Sequence, residues 1–139
     1  MKVFLDTNIL IDYLSRREPF FEPAALLFQL GRNKKCQLYV ASLSFATASF
    51  ILQSHYKTTH KAIRELFNII THMCFITAID SRTIAEAITS DLEDYEDAMQ
   101  YSAAKHASVD VIITRNTKDF LNASIPVQTP TEFIELYSA

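Results

Sequence analysis

Three places in the sequence set an acid where a strand ends or a helix begins: Asp6, the group Asp94, Glu96 and Asp97, and Asp119. Asp6 closes the apolar run Val3-Phe4-Leu5 and is followed by Thr7 and Asn8, after which a new apolar pattern starts at Ile9. That pattern describes a short buried strand running into a helix. It puts Asp6 at the strand's carboxyl end, where open α/β sheets place their ligands. Carboxylates gathered at such an edge repel and raise one another's pKa. A hard cation such as Mg2+ or Mn2+ relieves that repulsion, because it takes carboxylates plus water. A cation held this way turns water into a nucleophile and grips a phosphoryl oxygen, which is hydrolytic phosphate chemistry.

Each acid also has a plainer reading. Asp, Thr and Asn are all good at a helix N-terminus, so Asp6 serves equally as a cap. Asp97 in a first helical turn is favoured by the helix dipole. On a helix Asp94 and Asp97 share a face, as do Glu93 and Asp97, while Glu96 points about 100° away from Asp97. A solvated acidic face accounts for most of that cluster. Asp119 and Asn116 both suit a turn. The four histidines, His55, His60, His72 and His106, have no ligand spacing and read as surface or helix-face residues.

Composition narrows the field. A chain of 139 residues, 49% apolar, is one globular domain with enough length to bury a sizeable core. No apolar run is long enough to span a membrane. The first strand begins at once, so no signal peptide is expected. Cys36 and Cys74 form neither a metal-type spacing nor a disulfide framework, which suits a reducing cytoplasm. A net charge of −3 gives no whole-molecule attraction to nucleic acid and leaves only local basic patches. Gly31 is the only glycine. A phosphate-binding P-loop needs two and a dinucleotide fingerprint normally three, so both are excluded.

The elements that must position the acids follow in order. The residues from Ile9 to Leu14 favour a helix to about Ser15, with Asp12 outward, and Arg16, Arg17 and Pro19 break it. A second helix is expected from about Pro23, stopped by Gly31. Asn33, Lys34 and Lys35 make an exposed turn. Gln37 to Ala41 reads as a strand. Ser42 or Ser44 then caps a helix, and another follows from about Thr59. Phe75 to Ile79 is a third strand, with Asp80 or Ser81 capping the next helix. The acidic run LEDYED precedes a helix holding Ala98 to Ala104, and Val109 to Thr114 is a fourth strand. Pro126 to Thr129 is a short last strand, at an edge because of its proline, and Pro130 opens a closing helix. Strands alternating with helices predict a three-layer α/β/α fold. Its sheet is mainly parallel, of four or five strands, with the first strand central and right-handed crossovers. In such a sheet Asp6 and the Asn116–Asp119 turn share one edge.

With those residues in order, the chain resembles a PIN domain, the metal-dependent ribonuclease fold of many bacterial toxin–antitoxin toxins. Val3 to Asn8 resembles the family's opening strand and first acid. Ser42 to Ala46 resembles the lead-in to its second acid. Asp97 to Ala104 resembles its third-acid helix, and Ile113 to Phe120 its closing turn. Together with Pro126 to Phe133 these blocks span nearly the whole chain, so one PIN-like domain over 1–139 is expected. The resemblance implies that Asp6 and Asp97 are the principal metal ligands and that Asp119 adds a further acid. Asn116 stands where many members have the fourth acid, and Asn8 and Thr114 are hydrogen bonders around the ligands. One departure matters. Many members have a glutamate where this chain has Thr47, and no acid occurs from Cys36 to Arg64. Glu96 or Asp94 is then the acid available to compensate. The chain also looks like a PIN subgroup with the same lack and a similar DxEDA run.

The activity implied is metal-dependent endoribonuclease cleavage, in the form of a toxin that pairs with an antitoxin and dimerises in the cytoplasm. Arg16, Arg17, Arg115 and Lys118, with Lys34 and Lys35, would steer the RNA backbone. A twofold dimer is expected from the apolar surplus at Phe20, Phe21, Phe45 and Phe50. A PIN fold that has lost one carboxylate and serves as a scaffold or RNA-binding module is the alternative. A haloacid-dehalogenase-type phosphatase is disfavoured, because that chemistry wants a second acid two residues after the first, where this chain has Asn8.

Overall fold

The computed structural model describes residues 1–138. Five parallel strands form one sheet in the order β3-β2-β1-β4-β5. The strands are β1 (Lys2–Leu5), β2 (Gln37–Ala41), β3 (Cys74–Thr77), β4 (Val111–Ile113) and β5 (Val127–Gln128). Seven helices flank them: α1 (Thr7–Ser15), α2 (Phe21–Arg32), α3 (Ser42–Ser54), α4 (His60–Met73), α5 (Ser81–Ile88), α6 (Tyr95–His106) and α7 (Pro130–Ser138). The expected three-layer fold is the one observed, with β1 central and the proline-preceded β5 at an edge.

Alternation along β1 builds both faces. Val3 and Leu5 are fully buried in a core shared with Ile9, Leu27, Phe28 and Ile70 of α1, α2 and α4. Phe4 points to the other face, where Ala104 of α6, Ile112 and Phe120 close a second, smaller core. A strand covered on both faces needs an unbroken apolar run, which is what Val3-Phe4-Leu5 provides. The register pairs Leu5 with Ile113, and the Asp6 N–H continues the ladder to the Ile113 carbonyl at 2.9 Å. Asp6 and Thr114 therefore leave the sheet side by side.

Three local expectations are corrected. Asp12 is 1% exposed and does not face solvent. Its partner is Arg115, 103 residues away, which helical periodicity cannot reveal. Gly31 does not stop α2, which runs on to Arg32. Its lack of a side chain serves packing instead, since a Cβ there would lie 2.5 Å from Leu38 Cδ1. Neither Ser42 nor Ser44 is the N-cap of α3. Both lie within the helix, Ala41 precedes it, and Ser42 Oγ accepts from the Ile79 N–H at 3.0 Å.

Candidate active site

The Asp6 carboxylate lies at the carboxyl end of β1. It occupies the N-cap position of α1 yet makes no side-chain cap hydrogen bond. Its Oδ2 accepts from Thr114 Oγ1 at 2.7 Å and Asn8 Nδ2 at 3.1 Å, and its Oδ1 accepts from Gln100 Nε2 at 2.8 Å. These donors are neutral, so they orient the carboxylate without cancelling its charge. Burial pushes the Asp6 carboxyl up; the hydrogen bonds from Thr114 and Gln100 pull it back, and the negative charge of Asp119 adds to the rise.

Asp97 faces Asp6 from the first turn of α6. It is half-buried, and its pKa is pushed up to about 7, first by burial and then by Asp6, Asp94, Asp119 and Glu96. Asp94 belongs to a different task. It is the α6 N-cap, and its Oδ1 accepts from the Asp97 N–H at 3.0 Å. Asp119 is exposed on the 3-10 turn Thr117–Phe120, which buried Phe120 pins to the smaller core. Asn116 Nδ2 donates to Asp119 Oδ1 at 3.0 Å and so fixes one of its oxygens. A groove of about 520 Å³ opens between Asp94, Asp97, Lys118 and Asp119.

Glu96 turns inward. Its Oε1 accepts from Thr47 Oγ1 at 3.2 Å and from Thr7 Oγ1 at 3.3 Å. Thr7 is the junction of the polar network. Its N–H donates to Gln100 Oε1 at 3.1 Å, and its hydroxyl lies 2.7 Å from Ser44 Oγ. The fully buried Ser44 can donate there, so the single Thr7 hydroxyl proton is shared between two acceptors, Gln100 Oε1 at 3.2 Å and Glu96 Oε1 at 3.3 Å.

Gln100, Thr7 and Ser44 are site residues that the sequence reading did not single out. A signal for Gln100 was present: it lies three residues after Asp97 and four after Glu96, on the same helix face. The basic residues divide. Arg16, Arg17 and Lys118 are exposed. The Arg115 guanidinium is instead committed, its Nε donating to Asp12 Oδ2 at 2.7 Å and its carbon 4.2 Å from the Phe20 ring centroid.

A divalent cation can be tested against these donors. Like-charged carboxylates pushed above their ordinary pKa are the setting a cation relieves. The Asn8 Oδ1 atom is buried and has no hydrogen-bond partner, so a hard-oxygen donor is left uncommitted beside Asp6. Among the described residues no three His, Cys, Asp or Glu side chains are close enough to surround one ion. The residues therefore fit a Mg2+-like ion that keeps most of its waters and takes only one or two carboxylates.

A five-stranded parallel sheet with carboxylates collected at its carboxyl edge defines an α/β protein whose candidate site lies at the ends of β1 and β4. The family model described as PIN domain matches residues 2–118, and the chain belongs to that family. Solved structures share the fold. A toxin–antitoxin complex from Klebsiella pneumoniae is 21% identical with a TM-score of 0.67, covering 92% of this chain and 97% of its own. VapBC2 from Rickettsia felis, bound to a DNA fragment from its promoter, is 16% identical with a TM-score of 0.64, covering 93% and 98%. VapC20 from Mycobacterium tuberculosis, described as a toxin cleaving the sarcin–ricin loop, is 12% identical with a TM-score of 0.61, covering 79% and 86%. No curated protein matches the sequence. No helix among the described residues is long and apolar enough to cross a membrane.

Proposed function

We propose that this protein is a metal-dependent endoribonuclease and the toxin half of a toxin–antitoxin pair. The observation that carries the reading is the hydrogen bonding of Asp6. A carboxylate at a helix N-cap position gives up capping and is held by Thr114, Asn8 and Gln100 opposite a half-buried Asp97. PIN domains are generally ribonucleases. The solved relatives support the biological setting, one being a toxin–antitoxin complex and another a toxin described as cleaving the sarcin–ricin loop.

Asp6 and Asp97 would hold Mg2+ or Mn2+, with Asp119 binding through water at the mouth of the groove. Such an ion makes a water nucleophilic and neutralises a phosphoryl oxygen. The protein's own part is positional. Thr114, Asn8 and Gln100 keep both Asp6 oxygens from rotating, and Asn116 does the same for one oxygen of Asp119. Lys118 at the groove, with exposed Arg16 and Arg17, would attract RNA phosphates. Arg115, bound to Asp12, would act by holding the turn rather than by touching RNA.

For partners, the groove lined by Tyr13, Leu14, Arg16, Phe21, Leu66 and Ile69, apolar apart from its arginine, suits an antitoxin helix. A twofold dimer would use the α3 face carrying Phe50, which is 69% exposed. Phe45 is less available to a partner, being packed on Phe67. A monomer by light scattering at high concentration overturns the dimer.

The deciding experiment is cleavage of a mixed RNA pool with Mn2+ and with chelator, for wild type and Asp6→Asn. Wild-type cleavage that chelator and Asp6→Asn both abolish is the expected result. RNA binding without cleavage in any divalent metal would instead favour the scaffold alternative, which rests on Thr47 standing where a glutamate is usual.

A further inference from the structure

We infer that Glu96 is a working carboxylate of the site, held over α3 by Thr47 and Thr7, and that it contributes to binding the divalent cation through the ion's waters rather than as a third direct ligand. The inference rests on the nuclease reading and deepens it.

Its basis is how the acids of the LEDYED run are used. Asp94 is consumed as the α6 cap, and Glu93 is exposed. Glu96, in the first turn of a helix, has every opportunity to extend into water and gain from the dipole there. It is half-buried instead and brings one oxygen to two threonine hydroxyls on two other helices. Those hydroxyls are placed to receive it. Thr7 has its N–H on Gln100, and Gln100 in turn donates to Asp6, so Glu96 and Asp6 are tied to one rigid network. Among the described residues the second Glu96 oxygen accepts no hydrogen bond and is uncommitted.

The geometry also explains Thr47. A long acid at that position would project into the space the Glu96 carboxylate now occupies. A threonine is short enough to leave that space free and still donates a proton to its occupant. The carboxylate has in effect moved from one wall of the site to the other, from α3 to α6. Groups that orient or supplement metal ligands without being the main ones typically change affinity by about 10–100-fold.

The test is Mn2+ binding by titration calorimetry, without RNA, on wild type, Glu96→Gln, Thr47→Val and the double variant Thr47→Glu/Glu96→Gln. Asp97→Asn serves as the control, and melting curves in chelator verify that each protein is folded. Glu96→Gln should weaken Mn2+ binding by about tenfold or more, and Thr47→Val by a smaller factor. The double variant, which returns the acid to α3, should recover most of the loss. Should Glu96→Gln fail to fold, Glu96→Asp replaces it, with a loss of affinity expected because the shorter side chain cannot reach Thr47. Wild-type affinity in the folded Glu96 variant, with Asp97→Asn impaired, overturns this inference alone. A wild-type protein that binds no Mn2+ overturns the nuclease reading and this inference with it.

Discussion

Arg115 and Asp12 form an ion pair behind the site, Nε to Oδ2 at 2.7 Å, with the acid 1% exposed and the arginine side chain 29% exposed. Burial pushes Asp12 up, and the adjacent Arg115 only partly offsets it. The pair ties α1 to the turn after β4. Thr114 and Asn116 flank Arg115 in sequence, so the residues orienting Asp6 and Asp119 are anchored through it. Removing one partner of a buried pair leaves an uncompensated charge and costs about 3–5 kcal/mol, with the lower end expected where one partner reaches solvent. Arg115→Ala should therefore lower stability by about 3 kcal/mol at neutral pH. Asp12→Asn/Arg115→Ala should be less destabilised than the two single losses added together. Urea denaturation of the four proteins gives the coupling.

Asp97 gives a pH signature in chelator. Its folded pKa of about 7 lies above its ordinary 3.8. The native state therefore binds the proton more tightly than the unfolded chain. The resulting stability is fully present below pH 3.8 and is lost as pH rises through about 7. The melting temperature of wild type relative to Asp97→Asn should fall across that window and level off above it. A difference that does not vary with pH would show that Asp97 titrates as an ordinary exposed acid.

The same substitution separates repulsion from capping. Asp97→Asn removes one of several like charges and should raise stability in chelator by roughly 0.5–2 kcal/mol, as relieved functional sites do. Added Mn2+ should stabilise wild type much more than the variant, because a ligand stabilises only through its affinity for the native state. Melting curves with and without Mn2+ make the comparison. An Asp97→Asn protein that melts lower in chelator, with neither protein responding to Mn2+, would leave Asp97 as a helix-start residue only.

Asp94→Ala should behave in the opposite manner. Its carboxylate caps α6 through the Asp97 N–H, so its loss should cost about 1 kcal/mol. Mn2+ affinity by calorimetry should stay within a few-fold of wild type. A loss comparable to that of Asp97→Asn would make Asp94 part of the metal site.

Much of the fold was legible because its signals are local. Val3-Phe4-Leu5 is apolar on both faces, and strand–helix alternation leaves few topologies besides a parallel sheet. The convergence of Asp6 with the Asn116–Asp119 turn followed from that topology alone. What was not legible depends on partners distant in sequence. Asp12 looked like the polar face of a short helix because nothing nearby indicates Arg115. Gly31 looked like a helix stop because its contact, Leu38, lies on the next strand. Glu96 is about 100° from Asp97 on the helix, yet it joins the polar network that reaches Asp6 because Thr7 and Thr47 come from two other helices.

The central position of β1 sets the order in which the site can be assembled. Thr114, which holds one Asp6 oxygen, lies 108 residues later in the chain, and Gln100, which holds the other, lies 94 residues later. Until β4 docks, β1 has an open edge and Asp6 lacks its Thr114 restraint. Pairing between segments so far apart is slow, because the chain must be closed over its full span before the contacts form. A nascent chain still leaving its ribosome would therefore carry the acids but not the arrangement.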